Sequence, residues 1–419
     1  MSDLSMERGP LAGIRVIDLS RILAGPWATQ MLADMGAEVI KIEKPGSGDD
    51  TRGWGPPAMP GEDGEPTSDA AYFHCVNRNK KSVVIDIANP EGQQLVRELV
   101  ATADVLVENF KLGGLKKYQL DYESMKQLNP RLVYCSITGF GQTGPYASRA
   151  GYDFMIQGMS GLMSITGEPD GMPVKVGVAL ADVMTGLNAC SAIQAALLAR
   201  HRTGKGQHID LSLMDCTVNA LANQAMNYLA TGESPQRLGN AHPNIVPYQA
   251  FATQDGHLIL AVGNDGQFQR FCEVSGKPDL ASDARFKTNK GRVENRNQLI
   301  PEVAAIMASQ ASSWWIEQLE SASVPCGPIN TLEEVFNDPH VQSRDMQVTL
   351  PHSEGGTVPS VASPLRFSET PVVYRHGPPV LGEHTFEVLE EYLQLSEEQV
   401  SKLQENGVID LADSLALIE

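Results

Sequence analysis

Short apolar runs alternate with stretches of helical spacing from the start of the chain. Residues 14–19 form a β-rich run, Leu23-Ala24-Gly25-Pro26 reads as a turn, and 27–35 has helical spacing that stops at Gly36. Residues 38–43 make a second apolar run, closed by Pro45 and Gly46. Strand, helix, strand within about 30 residues implies a parallel pair joined by a crossover helix. The pattern continues with strands predicted at 82–87, 105–107 and 132–137, and helices at 90–103 and 122–128. Pro90 suits a first helical position. A long Ala- and Leu-rich helix is predicted over 182–202, ended by Thr203-Gly204-Lys205-Gly206, then a strand at 208–213 and a helix at 215–229. This is the signature of a doubly wound α/β domain. From about residue 225 the pattern changes. Runs at 246–252 and 257–262 flank Gln254-Asp255-Gly256 and predict a hairpin. Helical stretches at 299–308 and 313–319 complete a separate α+β domain over 225–335.

Composition narrows the function. The chain has 419 residues, 42% hydrophobic and 20% charged, the mixture of an ordinary globular protein. No apolar run reaches the roughly 18 residues of a membrane helix. The balance of 32 basic against 51 acidic side chains gives −19, which disfavours nucleic acid as a partner. The stretch from Leu381 onward holds ten of those acidic residues and one lysine, the pattern of a solvated helical face. Asp3 and Glu7 interrupt the first ten residues, which do not read as a secretion signal, so a cytoplasmic location is expected. The six cysteines form no CxxC pair and read as reduced core residues. The nine histidines show no metal spacing, and His201 and His208, flanking a glycine turn, read as surface residues. No metal or permanently bound cofactor is expected.

Nucleotide fingerprints fail despite the doubly wound pattern. The first turn is Leu-Ala-Gly-Pro rather than GxGxxG, and neither a P-loop nor a GxSxG elbow occurs. Two positive signals remain. Lysines gather near predicted strand ends: Lys41 and Lys44, Lys80 and Lys81, then Lys111, Lys116 and Lys117. Their ordinary reading is solvated surface. Their functional reading is a rim for a polyphosphate ligand, since open α/β sheets bind ligands at carboxyl strand ends. The second signal is Asp182, where an apolar run becomes the long helix. Its ordinary reading is an N-cap. A helix start also favours an ionised carboxylate, which in a partly dry site can act as a nucleophile.

The order of several short segments gives the chain a resemblance. Leu11-Ala12-Gly13-Ile14-Arg15-Val16-Ile17-Asp18-Leu19-Ser20-Arg21 opens the series. Asn77-Arg78-Asn79-Lys80-Lys81, Val107-Glu108-Asn109-Phe110, Gly141-Gln142-Thr143-Gly144-Pro145, Pro325-Cys326-Gly327-Pro328 and Leu381-Gly382-Glu383-His384-Thr385 continue it. In this order they resemble the class III CoA-transferases, the family that also holds formyl-CoA transferase, carnitine CoA-transferase and the α-methylacyl-CoA racemases. The resemblance implies a large Rossmann-like domain from residues 1–215, completed by 345–419, with the small α+β domain between. It also implies a homodimer of ring-shaped, interlocked chains, with acyl-CoA and small carboxylates as substrates. Carried over position by position, Asp182 matches the catalytic aspartate, which would pass through an aspartyl anhydride and an aspartyl-CoA thioester. Ile22, Leu23, Ala24, Lys44, Ile85, Ala88, Asn109, Phe110 and Lys117 match the CoA contacts.

Departures from the pattern bear on the subfamily. Where racemases carry Gly-His-Asp, this chain has Gly151-Tyr152-Asp153, and tyrosine is a poor proton shuttle at neutral pH. Transfer is therefore read ahead of racemisation, and a non-catalytic CoA-binding protein is the alternative from another class. The glycine-rich lid of formyl-CoA transferase is replaced by Gly239-Asn240-Ala241-His242-Pro243-Asn244, which offers His242 as a substrate contact or as a plain loop histidine. Segments around Arg21, Arg149 and 245–251 look most like the succinyl-CoA:glutarate branch. A dicarboxylate acceptor such as glutarate follows, its far carboxylate held by Arg21 or Arg149 unless these form ordinary salt bridges.

Overall fold

A computed structural model describes residues 9–412. Asp3 and Glu7 of the first segment, and Asp413 and Glu419 of the acidic stretch, lie outside the described residues.

The chain divides into two compact units. The larger takes the described parts of Met1–Ser160, Gly177–Ala225 and Gln342–Glu419. Six parallel strands run through it: β1 (Arg15–Asp18), β2 (Glu38–Glu43), β3 (Lys80–Ile85), β4 (Val105–Glu108), β5 (Val133–Thr138) and β6 (Gln207–Ser212). Their order across the sheet is β3-β2-β1-β4-β5-β6, with Ile409–Asp410 antiparallel on the β3 edge. This is the Rossmann order, and its direction reverses between β1 and β4. The carboxyl ends of those two strands are therefore the expected ligand crevice.

The strands read as near-continuous apolar runs because both faces are covered. Val16, Val39, Val105 and Val133 pack under α1 (Ala24–Asp34) and α5 (Leu180–Thr203). Their neighbours Ile17, Ile40, Leu106 and Tyr134 point the other way, beneath α2 (Pro90–Ala101), α3 (Tyr122–Leu128) and the acidic helices Thr385–Leu393 and Glu397–Glu405. Local chemistry sets the boundaries. The Asn89 side chain accepts the Glu91 N–H at 2.9 Å in front of Pro90, and α5 ends on Gly204 at φ +70°.

Several expectations shift. Leu23 is the N-cap of α1 and Ala24-Gly25-Pro26 its first turn, not a separate turn; Pro26 fits because first-turn N–H groups need no helical partner. The predicted helix over 215–229 is two, Leu213–Ala220 and Ala222–Thr231, broken where Ala222 adopts φ +46°. β3 begins at Lys80, so Lys80 and Lys81 lie inside its amino end and not before it.

The second unit comprises Gly161–Val176 and Met226–Val341. Gly161–Val176, which sequence pattern leaves within 1–215, is tied here by the Arg237 guanidinium. That group donates to the carbonyls of Glu168, Pro169 and Gly171. The predicted hairpin is Tyr248–Ala252 against His257–Ala261, extended by Cys326–Pro328 into a three-stranded antiparallel sheet. Phe251, Leu258, Phe268, Phe271 and Trp315 form its core.

Candidate active site

The cavity is built by two turns at the point where the sheet reverses. After β1 the chain runs Leu19-Ser20-Arg21-Ile22 into α1; after β4 it runs Asn109-Phe110. Asn109 joins them: its Oδ1 accepts the Arg21 N–H at 3.0 Å and its Nδ2 donates to the Arg21 carbonyl at 2.7 Å. Ile22 sits at φ +72°, a conformation that a β-branched residue rarely adopts. Its N–H donates to both oxygens of Asp49 at 3.2 Å. Asp49 is fully buried and is held at 2.9 Å by the equally buried Lys41 ammonium, which also donates to the Ser20 carbonyl at 2.8 Å.

Asp182 enters from the start of α5. It is not the N-cap; Ala179 holds that position, and Asp182 lies in the first turn. The capping carboxylate comes from another segment. Asp153, first residue of α4 (Asp153–Met159), accepts the Ala181 N–H at 2.7 Å and, at 3.4 Å, the Asp182 N–H. Gln157 donates to the second Asp153 oxygen at 2.7 Å. The Asp182 carboxylate itself receives no hydrogen bond among the described residues. Burial, and then the Asp153 charge, push its pKa up to about 7. A helix start favours the ionised form, but these two effects outweigh it. The Tyr72 phenol, pushed up to about 12 by burial and by the Asp182 carboxylate, marks another neighbour.

A cavity of about 420 Å3 collects these groups. Asp182, Arg21, Ile22, Leu23 and Ala24 line one part of it, and Asn109, Phe110, Lys117, Arg149 and Tyr152 another. A second cavity of about 260 Å3 is lined by Lys44, Ile85 and Ala88. Arg21, Phe110 and Tyr118 border both, so the two follow one track along the carboxyl ends of the strands. Every residue lining this track belongs to the larger unit.

The candidate side chains differ in how free they are. Arg21 is ion-paired to Asp50 at 2.5 Å, and Lys44 reaches the same carboxylate at 3.6 Å. Arg149 has no acidic partner among the described residues; its guanidinium lies 4.6 Å from the Tyr146 ring centroid and 5.4 Å from that of Phe140. Tyr152 is 62% exposed. His242 lies in the second unit, where its Nδ1 accepts the Asn244 N–H at 3.0 Å and its ring meets Tyr248.

The lysine rim is smaller than the sequence suggests. Lys80 is fully buried, with its ammonium on Asp18, Asn77 and the Pro26 carbonyl. Lys41 is spent on Asp49, and Lys81 on Glu38, Glu387 and Glu391. Lys44, Lys111 and Lys117 remain along the track, and Lys116 borders a neighbouring hollow. Nor is His208 a surface residue: its Nε2 meets the Ser136 hydroxyl at 2.9 Å and its ring stacks on Tyr122. Cys75 is exposed rather than in the core, while Cys135, Cys190, Cys216 and Cys272 are buried. Among the described residues, no cluster of three or more acidic, His or Cys side chains is arranged to hold a metal, and no helix is long and apolar enough to cross a membrane.

The sequence pattern of CoA-transferase family III matches residues 11–385. The chain belongs to CoA-transferase family III. It is 56% identical to "Succinate--glutarate CoA-transferase" of Agrobacterium fabrum over 93% of this chain and 98% of that one. It is 42% identical to human "Succinyl-CoA:glutarate CoA-transferase" over 96% of this chain and 90% of that one. A solved CAIB/BAIF family protein from Brucella suis superposes with a TM-score of 0.80 at 53% identity, covering 92% of this chain and all of that one. This chain is thus a transferase enzyme of that family, with its mixed α/β fold and parallel central sheet.

Proposed function

We propose that this enzyme moves coenzyme A from a donor thioester such as succinyl-CoA to a small dicarboxylate such as glutarate, through covalent intermediates on Asp182. The names carried by the similar proteins support the substrate pair. One observation carries the chemistry: a half-buried carboxylate without a hydrogen-bond donor faces a cavity at the sheet's switch point. Such a group is poorly solvated and correspondingly nucleophilic.

Asp182 attacks the donor's thioester carbonyl, the C–S bond breaks, and an aspartyl–acyl anhydride forms with CoA thiolate released. The thiolate attacks the aspartyl carbonyl, freeing the donor acid and leaving an aspartyl-CoA thioester. The acceptor carboxylate then repeats these steps in reverse. No water enters and no net proton moves. Lys44 and Lys117 supply positive charge for the CoA phosphates, Ile85 and Ala88 flank the adenine, and the turn from Ile22 to Ala24, with Asn109 and Phe110, shapes the pantetheine channel. Arg149 takes the far carboxylate of the acceptor, because Arg21 is already neutralised by Asp50. Tyr152 borders the same space.

The working enzyme is an interlocked homodimer. Apolar residues left open on the larger unit, including Phe154 at 60% exposure and Leu198 at 67%, support an extensive partner surface. Six unpaired cysteines fit the reducing cytoplasm. The test is a panel of mono- and dicarboxylates with succinyl-CoA. Glutaryl-CoA formation is expected, and Arg149→Ala should raise KM for dicarboxylates alone. Equal use of acetate and glutarate would refute the dicarboxylate reading.

A further inference from the structure

The geometry points to Asp49 as a positioning residue for the transfer reaction, holding Ile22 in its left-handed conformation and so setting the start of α1 beside Asp182. This rests on the function proposed above. Ile22 at φ +72° is strained, because a β-branched side chain crowds its own backbone there. Strain of this kind persists only where surrounding groups fix it. Here they are identifiable. Both Asp49 oxygens accept the Ile22 N–H, and Oδ1 also accepts the Thr51 N–H at 3.0 Å and the Thr51 hydroxyl at 2.8 Å. Lys41 neutralises the carboxylate and ties the carbonyl of Ser20, two residues before Ile22. The next residue, Asp50, takes the Arg21 guanidinium. One short segment therefore fixes the turn by its backbone through Asp49 and by its side chain through Asp50. Asp49 does not line the cavity that holds Asp182, whereas the turn it fixes does; it borders only the second cavity of the track. Its effect on the Asp182 cavity therefore passes through the turn at Ile22, and any direct effect on CoA at the second cavity is the same in both Ile22 backgrounds.

That dependence predicts coupling between the two positions. Glycine adopts positive φ without strain, so an Ile22→Gly turn needs Asp49 less. The experiment is a double-mutant cycle of Asp49→Ala, Ile22→Gly and both together. It is read as kcat/KM for transfer and as CoA affinity by calorimetry, with melting temperatures recorded. Asp49→Ala is expected to lower kcat/KM at least tenfold in the wild-type background and at least fivefold less in the Ile22→Gly background. Its melting temperature should fall similarly in both, because Lys41 loses its partner either way. Equal losses of kcat/KM and CoA affinity in the two backgrounds would overturn the inference. Should Asp49→Ala fail to fold, Asp49→Leu, which keeps the side-chain shape but has no acceptor for the Ile22 N–H, takes its place in the same cycle. A wild-type enzyme that forms no covalent adduct on Asp182 refutes the proposed function, while the CoA-affinity arm still reads the coupling.

Discussion

The behaviour of Asp182 comes from two unfavourable neighbours, a low-polarity wall and a second carboxylate. Both raise its pKa to about 7, so the carboxylate is half ionised there and, as the proposed nucleophile, is fully available only about a unit higher. The value of kcat/KM should therefore rise with pH, reach half its limit near 7 and level off above about 8, falling about tenfold per unit well below 7. Asp153→Asn removes the like charge and leaves an oxygen to cap α5. The acid limb should then move to lower pH, yet stay above that of a free carboxylate, since burial is the larger cause. An unmoved limb in a pH–rate profile would show that Asp153 does not act through Asp182. At this scale the sequence is partly legible. Gly151-Tyr152-Asp153 is visible as a motif, but its informative residue in sequence is the tyrosine. Its aspartate caps a helix 28 residues later, and no local pattern signals that. The same holds for Lys41 and Lys80. A lysine next to a strand end reads as exposed until the fold shows an aspartate opposite it.

Among the elements, the six parallel strands and the helices α1, α2, α3 and α5 can be placed from periodicity, whereas α4, which carries Asp153, gives no such pattern. Misplacements fall where packing overrides local preference. Leu23-Ala24-Gly25-Pro26 has turn composition, yet opens a helix because its small residues let α1 sit close to α5 and Ser20. A Cβ on Gly25 would collide with the Ser20 side chain. Glycine roles divide similarly after α5. Gly204 has open space around it and needs only positive φ, so Gly204→Ala should cost about 1 kcal/mol. Gly206 has the reverse problem. A Cβ there would collide with the Leu132 carbonyl, so Gly206→Ala should cost about 3 kcal/mol. Urea unfolding of both variants checks the order; equal losses would mean the Gly206 contact relaxes freely.

For the molecule as a whole, the resemblance implies an interlocked dimer that no periodicity could reveal, because a chain's own pattern does not distinguish an open apolar face from a covered one. The open apolar residues of α4 and α5 support a partner surface, and sedimentation at micromolar concentration should give twice the chain mass. A monomer at that concentration would contradict the dimer. The net charge of −19 makes the track unusual, since an anionic CoA ester must enter a strongly acidic protein. Lys44, Lys111 and Lys117 offset that locally, while Lys41, Lys80 and Lys81 serve the fold. The proposed reaction stands on one covalent bond, between the Asp182 carboxylate and the acyl or CoA group. Incubating the enzyme with succinyl-CoA, trapping with hydroxylamine and mapping peptides by mass spectrometry tests it directly. A hydroxamate on Asp182 is expected, absent without the thioester and absent from Asp182→Asn. Normal CoA transfer with Asp182 unlabelled would contradict it.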